Sequence, residues 1–131
     1  MAHDRRMLLR TILLAALLAA TPALPAEPPP ASEAEIQHLL DYLGDSGCQF
    51  FRNGAWHPAR DARAHIQKKY AYLLDKSMVK TAEDFIARAA AESSTSGRPY
   101  QVRCAGGEPV TSAKWLEAEL ARYRQIKPAP K

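Results

Sequence analysis

The chain holds only two cysteines, Cys48 and Cys104, with 55 residues between them. A bridge between them would bring distant segments to within about 7 Å at their Cα atoms, so this pair restricts the fold more than any other feature of the sequence. Whether the bridge closes depends on the compartment, because disulfides persist in oxidising surroundings and are rare in a reducing cytosol. An even pair in an exported chain reads first as a disulfide. The loop-entropy model puts such a closure at about 4 kcal/mol, an upper figure because native strain and residual structure reduce it. A metal or redox pair is the alternative. Against it stand the lack of a C-x-x-C spacing and of a helix-start context that would activate either thiol.

The first 26 residues bear on the compartment. Arg5, Arg6 and Arg10 form a positive n-region, and Ile12, Leu13, Leu14, Leu17 and Leu18 with alanines between them form an apolar h-region. That region breaks at Pro22 and Pro25 and ends in small residues. This is the layout of a cleaved signal peptide, whose apolar stretch is shorter than the roughly 20 residues needed to span a bilayer. Cleavage after Ala26 is favoured, and Ala23 also suits the small-residue preference. No cysteine lies nearby to receive a lipid. The expected product is a periplasmic chain with no stable membrane anchor, a retained anchor being the less favoured reading.

Loss of residues 1–26 removes three arginines and one aspartate, so the formal net charge falls from +4 to +2. Lys127 and Lys131 of a Pro/Lys tail hold part of the remainder, which removes the electrostatic case for nucleic acid as a partner. A chain of this length forms one domain, small enough for a covalent staple to matter.

The reading along the chain is α+β, with about four helices packed on a small antiparallel sheet made of a hairpin plus one strand. Residues 27–31 form a proline-rich leader, 32–125 the single globular domain and 126–131 a flexible tail. Ser32-x-x-Glu35 has the form of a capping box, followed by Ile36, Leu39, Leu40 and Leu43 on one stripe, with Gly44 expected to end the helix. Asn53-Gly54 between short β-favouring runs predicts a type I′ hairpin. A second helix is expected from about Arg60 to Lys76, a third from Thr81 with Asp84 in its first turn, and a last one from Thr111 or Ser112. Tyr100 to Cys104 alternates as a strand. The bridge would then tie the hairpin to that strand.

Four ordered blocks carry a resemblance: Phe51-Arg52-Asn53-Gly54-x-x-His57 with His65 and Lys69 after it, Thr81 to Ile86, and Ser93-Ser94-x-Ser96-Gly97-x-Pro99-Tyr100-x-Val102. From about Glu35 to Leu120 the chain resembles the YfeK-like family of small exported Gram-negative bacterial proteins with a domain of unknown function. The resemblance implies export and the same domain boundaries. It implies no activity.

Candidate site residues follow from type and spacing. Arg52, Asn53, His57, His65 and Lys69 can contact an anion or hydrogen-bond a ligand, and Ser93, Ser94, Ser96 and Gly97 offer hydroxyls and open amides of the kind that cradle phosphate or carboxylate. The first functional expectation is a non-enzymatic binding protein for an anionic or glycan ligand of the envelope. Against it stands the plain reading of these residues as turn, cap and surface positions. The second expectation is a protein-interaction or inhibitor-like module anchored by Trp56, beside the hairpin turn. A small hydrolase using Ser94 or Ser96 with His57 or His65 and Glu83 or Asp84 ranks last, because there is no G-x-S-x-G elbow. His57 and His65 are not spaced as ligands on one helix, so no metal site and no cofactor is expected.

Overall fold

A computed structural model of the chain describes residues 15–19 and 27–126. Most of the expected signal peptide, and the tail beyond Ile126, lie outside the described residues. Residues 15–19 form neither helix nor strand, and Leu17 and Leu18 are exposed. No helix among the described residues is long and apolar enough to cross a membrane.

Asn53 and Gly54 take φ of 50° and 84°, the paired positive values of the type I′ turn. They join β1 (Gln49–Arg52) to β2 (Ala55–Pro58) in antiparallel register, with Phe50 opposite His57. On its other side β1 pairs with β3 (Gln101–Arg103), Phe50 lying opposite Val102. A fourth strand, β4 (Val110–Thr111), adds to β3, giving the order β2-β1-β3-β4. The sequence pattern predicts three strands. The fourth is two residues long and too short to show alternation.

Just beyond the Gln49–Arg103 pair, Cys48 and Cys104 are bridged, with their Cα atoms 4.3 Å apart. The disulfide therefore sits at one end of the β1–β3 ladder.

The helical layer consists of α1 (Pro30–Asp45), α2 (Ala59–Asp75), α3 (Ala82–Phe85), which runs on into a π-helical turn at Ile86–Ala90, and α4 (Ser112–Ile126). Ile36, Leu39, Leu40 and Leu43 of α1 are all buried, as the stripe predicts. They meet Ile66, Tyr70 and Leu73 of α2, Phe85 of α3, Leu116 and Leu120 of α4, and Phe50 and Val102 of the sheet in one core. Each such aliphatic or aromatic side chain contributes about 1.5–3 kcal/mol on burial. The fold is α+β, as expected.

Two helix boundaries differ from the sequence reading. α1 starts at Pro30, whose fixed φ suits the first helical position, and no side chain caps it. The Ser32–Glu35 box is unused because Ser32 already lies inside the first turn of this longer helix, and Glu35 pairs with Arg124 at 2.6 Å. At the other end the helix passes Gly44, and the left-handed residue is Gly47, with φ of 67°. Gly44 serves packing instead. A Cβ there would lie 2.6 Å from Cδ of Arg63, which pairs with Asp41 of α1 at 2.8 Å. The Thr81 cap is as expected: its hydroxyl accepts from the Asp84 amide at 3.0 Å, and the Asp84 carboxylate accepts from the Lys80 amide.

Candidate functional site

Side chains alternate across a strand, so Arg52 and His57 share the face of Phe50 and Val102, which looks toward the helices. Tyr100, two residues before Val102 on the neighbouring strand, lies on that same face. β2 runs directly into α2, and the first turns of that helix set His65 in front of the sheet. Arg52, His57, His65 and Tyr100, with Ala62, Ile66 and Ser112, line a small cleft of about 20 Å³, room for about one water.

Tyr100 is fixed from both sides: its amide donates to the Ala91 carbonyl and its own carbonyl accepts from the Ser112 amide, each at 2.9 Å. Its hydroxyl is the hub of the site. Lys69 Nζ donates to it at 3.1 Å and to the Glu92 carbonyl at 2.7 Å. His65 Nε2 lies 3.2 Å from the same oxygen. A Lys69 ammonium can only donate, so the Tyr100 hydroxyl accepts from it and keeps its own proton to offer His65 in the tautomer whose Nε2 is unprotonated. Beyond this hub opens a groove of about 290 Å³ lined by His65, Lys68, Lys69, Tyr72, Leu73, Arg88 and Ser94.

Positive charge outweighs acid here: Glu92 acts on Lys69 through space, but among the described residues no carboxylate is hydrogen-bonded into the site. Burial lowers the His65 pKa, and Arg52, Lys69, His57 and Lys68 push it the same way. Burial also lowers the Lys69 pKa, with Glu92 opposing and Arg52 adding to the shift. Burial raises that of Tyr100, and Arg52 opposes. Among the described residues, Arg52, His57, Lys68 and Arg88 make no side-chain hydrogen bond or ion pair with a carboxylate. A larger depression of about 1010 Å³, between the leader and α2, has the opposite sign: Glu27, Glu33 and Asp75 line it, with no cation among the described residues that do.

Of the residues singled out from sequence, Arg52, His57, His65, Lys69 and Ser94 thus border the cleft and groove. The others do not. Asn53 is exposed at the hairpin tip. Ser93 is buried, its hydroxyl accepting from the Thr95 and Ser96 amides at 3.3 Å, so it shapes the loop. The Ser96 hydroxyl accepts from the Arg98 amide, and Gly97 supplies a positive φ of 70°. Trp56 is half-buried on the opposite sheet face, 5.3 Å from the Phe51 ring and 4.2 Å beneath the Arg103 guanidinium.

The acids considered for a hydrolase are occupied elsewhere. Glu83 pairs with Arg124 at 2.5 Å and Asp84 caps α3. Among the described residues no serine is bonded to a histidine, and no three His, Cys, Asp or Glu side chains are grouped to hold a metal ion.

The sequence reading missed a second polar cluster, between α1 and α4. Glu119 is only 4% exposed. Its carboxylate binds Arg122 through both guanidinium contacts and lies 2.9 Å from His38 Nε2. The Arg122 hydrogen bonds hold its pKa below the usual range, and His38 assists. His38 stacks on Tyr123 at 4.0 Å, and Tyr42 lies 4.5 Å from Trp115. Leu116, Glu119, Leu120 and Tyr123 share a helical face, and that spacing was the available signal. Tyr72, Lys68 and Arg88 were likewise missed, although Lys68 and Tyr72 follow His65 at i+3 and i+7.

A family model described as "Family of unknown function (DUF5329)" matches residues 30–124. No curated protein and no solved structure shows significant similarity to the chain.

Proposed function

The chain belongs to DUF5329, a family of unknown function, and we propose that it is a periplasmic binding protein that holds an anionic ligand of the cell envelope in the groove beside Tyr100. The observation that carries this reading is the convergence of Arg52, His57, His65, Lys68, Lys69 and Arg88 around one cleft and groove with no carboxylate bonded into it. Gathering like charges costs free energy that an incoming anion returns, and a partly desolvated cation gives a stronger charge-assisted hydrogen bond. The Lys69–Tyr100–His65 chain orients the donors before the ligand arrives, and Ser94 adds a hydroxyl. Export to the periplasm is supported by the signal-like N-terminus and by the disulfide.

The test is thermal unfolding of the purified protein against inorganic phosphate, sulfate, acidic sugars and peptidoglycan fragments. A ligand at 100 times its Kd adds about 2.7 kcal/mol, a rise of roughly 10 °C or more in a domain of this size. The rise should vanish in Arg52→Ala. No shift with any anion would sink the reading and favour the protein-interaction module, for which Trp56, Phe51 and Arg103 supply an aromatic and cationic face.

A further inference from the structure

We infer that the groove is one end of a longer track that binds an extended acidic polysaccharide rather than a single small anion, an inference that rests on the anion-binding reading above. The track follows from helical spacing. His65, Lys68, Lys69 and Tyr72 stand at i, i+3, i+4 and i+7 on α2, and Lys76, the residue that caps the helix, continues the row at i+11. At 3.6 residues per turn these five fall on one face, beside the stripe of Ala62, Ile66, Tyr70 and Leu73 that enters the core. Eleven residues at a 1.5 Å rise span about 16 Å, longer than any single phosphate or carboxylate.

The row is continued at its sheet end and along one side. Arg52 and His57 extend it toward the sheet, and Arg88 and Ser94 form the facing bank. Asp61, an acid one turn before His65, pairs with Arg60 at 3.5 Å in an exposed contact. Glu92, whose backbone carbonyl accepts from Lys69, is an acid near the row and favours the charged form of that lysine.

Tyr72 points to the class of chain. It is 63% exposed in the middle of the row, and Lys76 lies over its ring at 5.7 Å. A large exposed aromatic flanked by cations offers the apolar face of a sugar ring a surface while its carboxylates or sulfates meet the ammonium groups. One such ring is a poor platform for nucleic acid, which single-strand binders hold by stacking successive bases.

The test is calorimetric titration of the purified protein with galacturonate, with hexagalacturonate and with a hexathymidylate, repeated on two variants. Hexagalacturonate should bind beyond the roughly sixfold advantage that six equivalent residues give by statistics alone. Lys76→Ala, at an exposed position, should weaken hexagalacturonate by about two- to fivefold and leave galacturonate unchanged. Arg52→Ala should weaken both. Galacturonate bound, with no more than the statistical gain for the hexamer or no effect of Lys76→Ala on it, overturns the track and leaves the small-anion site standing. No binding of either sugar, in a protein that also fails to respond to phosphate or sulfate, overturns both. Hexathymidylate bound more tightly than hexagalacturonate overturns the choice of polysaccharide.

Discussion

The α1–α4 contact and the groove beside Tyr100 are built from the same residue types and come to opposite ends. In the first, His38 and Arg122 close on Glu119, a buried carboxylate that receives both. In the second, His65 and Lys69 meet at a tyrosine hydroxyl, Arg52, His57, Lys68 and Arg88 line the adjoining cleft and groove, and among the described residues no carboxylate is hydrogen-bonded to them. A single buried acid makes the difference. With it, the cations are spent inside the molecule as a clamp between helices; without it, their field faces outward and selects an anion from solution. The histidines differ accordingly: His38 leans on a carboxylate, whereas His65 is held neutral by burial and by its cationic neighbours.

That contrast can be broken at the clamp. Glu119→Ala leaves Arg122 and His38 without their acceptor, and about 2–3 kcal/mol of stability should be lost at neutral pH, measured by denaturant titration. Because the folded pKa of Glu119 is depressed, its contribution is present above the ordinary carboxylate range and disappears as pH falls through the lower folded value. Wild type and variant should therefore converge in acid. An unchanged midpoint at pH 7 would remove the clamp from the comparison.

The converse change puts an acid where there is none. Ser94→Glu should turn the groove into a second clamp, with anion affinity down about tenfold and stability raised by less than about 1 kcal/mol, as befits an exposed pair. Unaltered anion affinity would show that Ser94 stands outside the binding surface.

The smallest effect is one of pH. An anion in the groove supplies the counter-charge that His65 lacks, so binding takes up a proton at His65, which Arg52, His57, Lys68, Lys69 and Tyr100 surround. Affinity for sulfate should rise about two- to fivefold as pH falls from about 7.5 to about 5.5, through the ordinary histidine range. Stability of the free protein moves the other way. The unfolded chain takes the proton first, so stability begins to fall as pH drops through about 6.5. A flat affinity profile, or a slope that survives in His65→Gln, would detach His65 from the ligand.

The elements legible in the sequence were those with local causes. Asn53-Gly54 dictates its own turn, Thr81 its own cap, and the α1 stripe its own buried face. What stayed hidden depends on distant partners. β4 exists because two residues find β3, and Glu35 is held by Arg124 from the far end of the chain. The candidate site divides in the same way. Arg52, His57, His65 and Lys69 could be named from residue type and spacing, but Arg88 reaches the groove through tertiary packing of its π-helical turn. Glu119 was missed because an acid on an apolar face reads as an error of register until its partners on α1 and α4 are seen.

The position of the disulfide has a consequence for how the groove is recovered after unfolding. Arg52 and Tyr100 stand at the end of the β1–β3 ladder opposite to the bridge, on the face they share with Phe50 and Val102. A slip of one residue would turn Arg52 to the far side of the sheet and leave Tyr100 behind. The bond between Cys48 and Cys104 survives heat and denaturant, so the chain keeps a covalent record of which residue belongs opposite which. Each time the helices come apart and close again, the cation and the hydroxyl that must meet return already in phase.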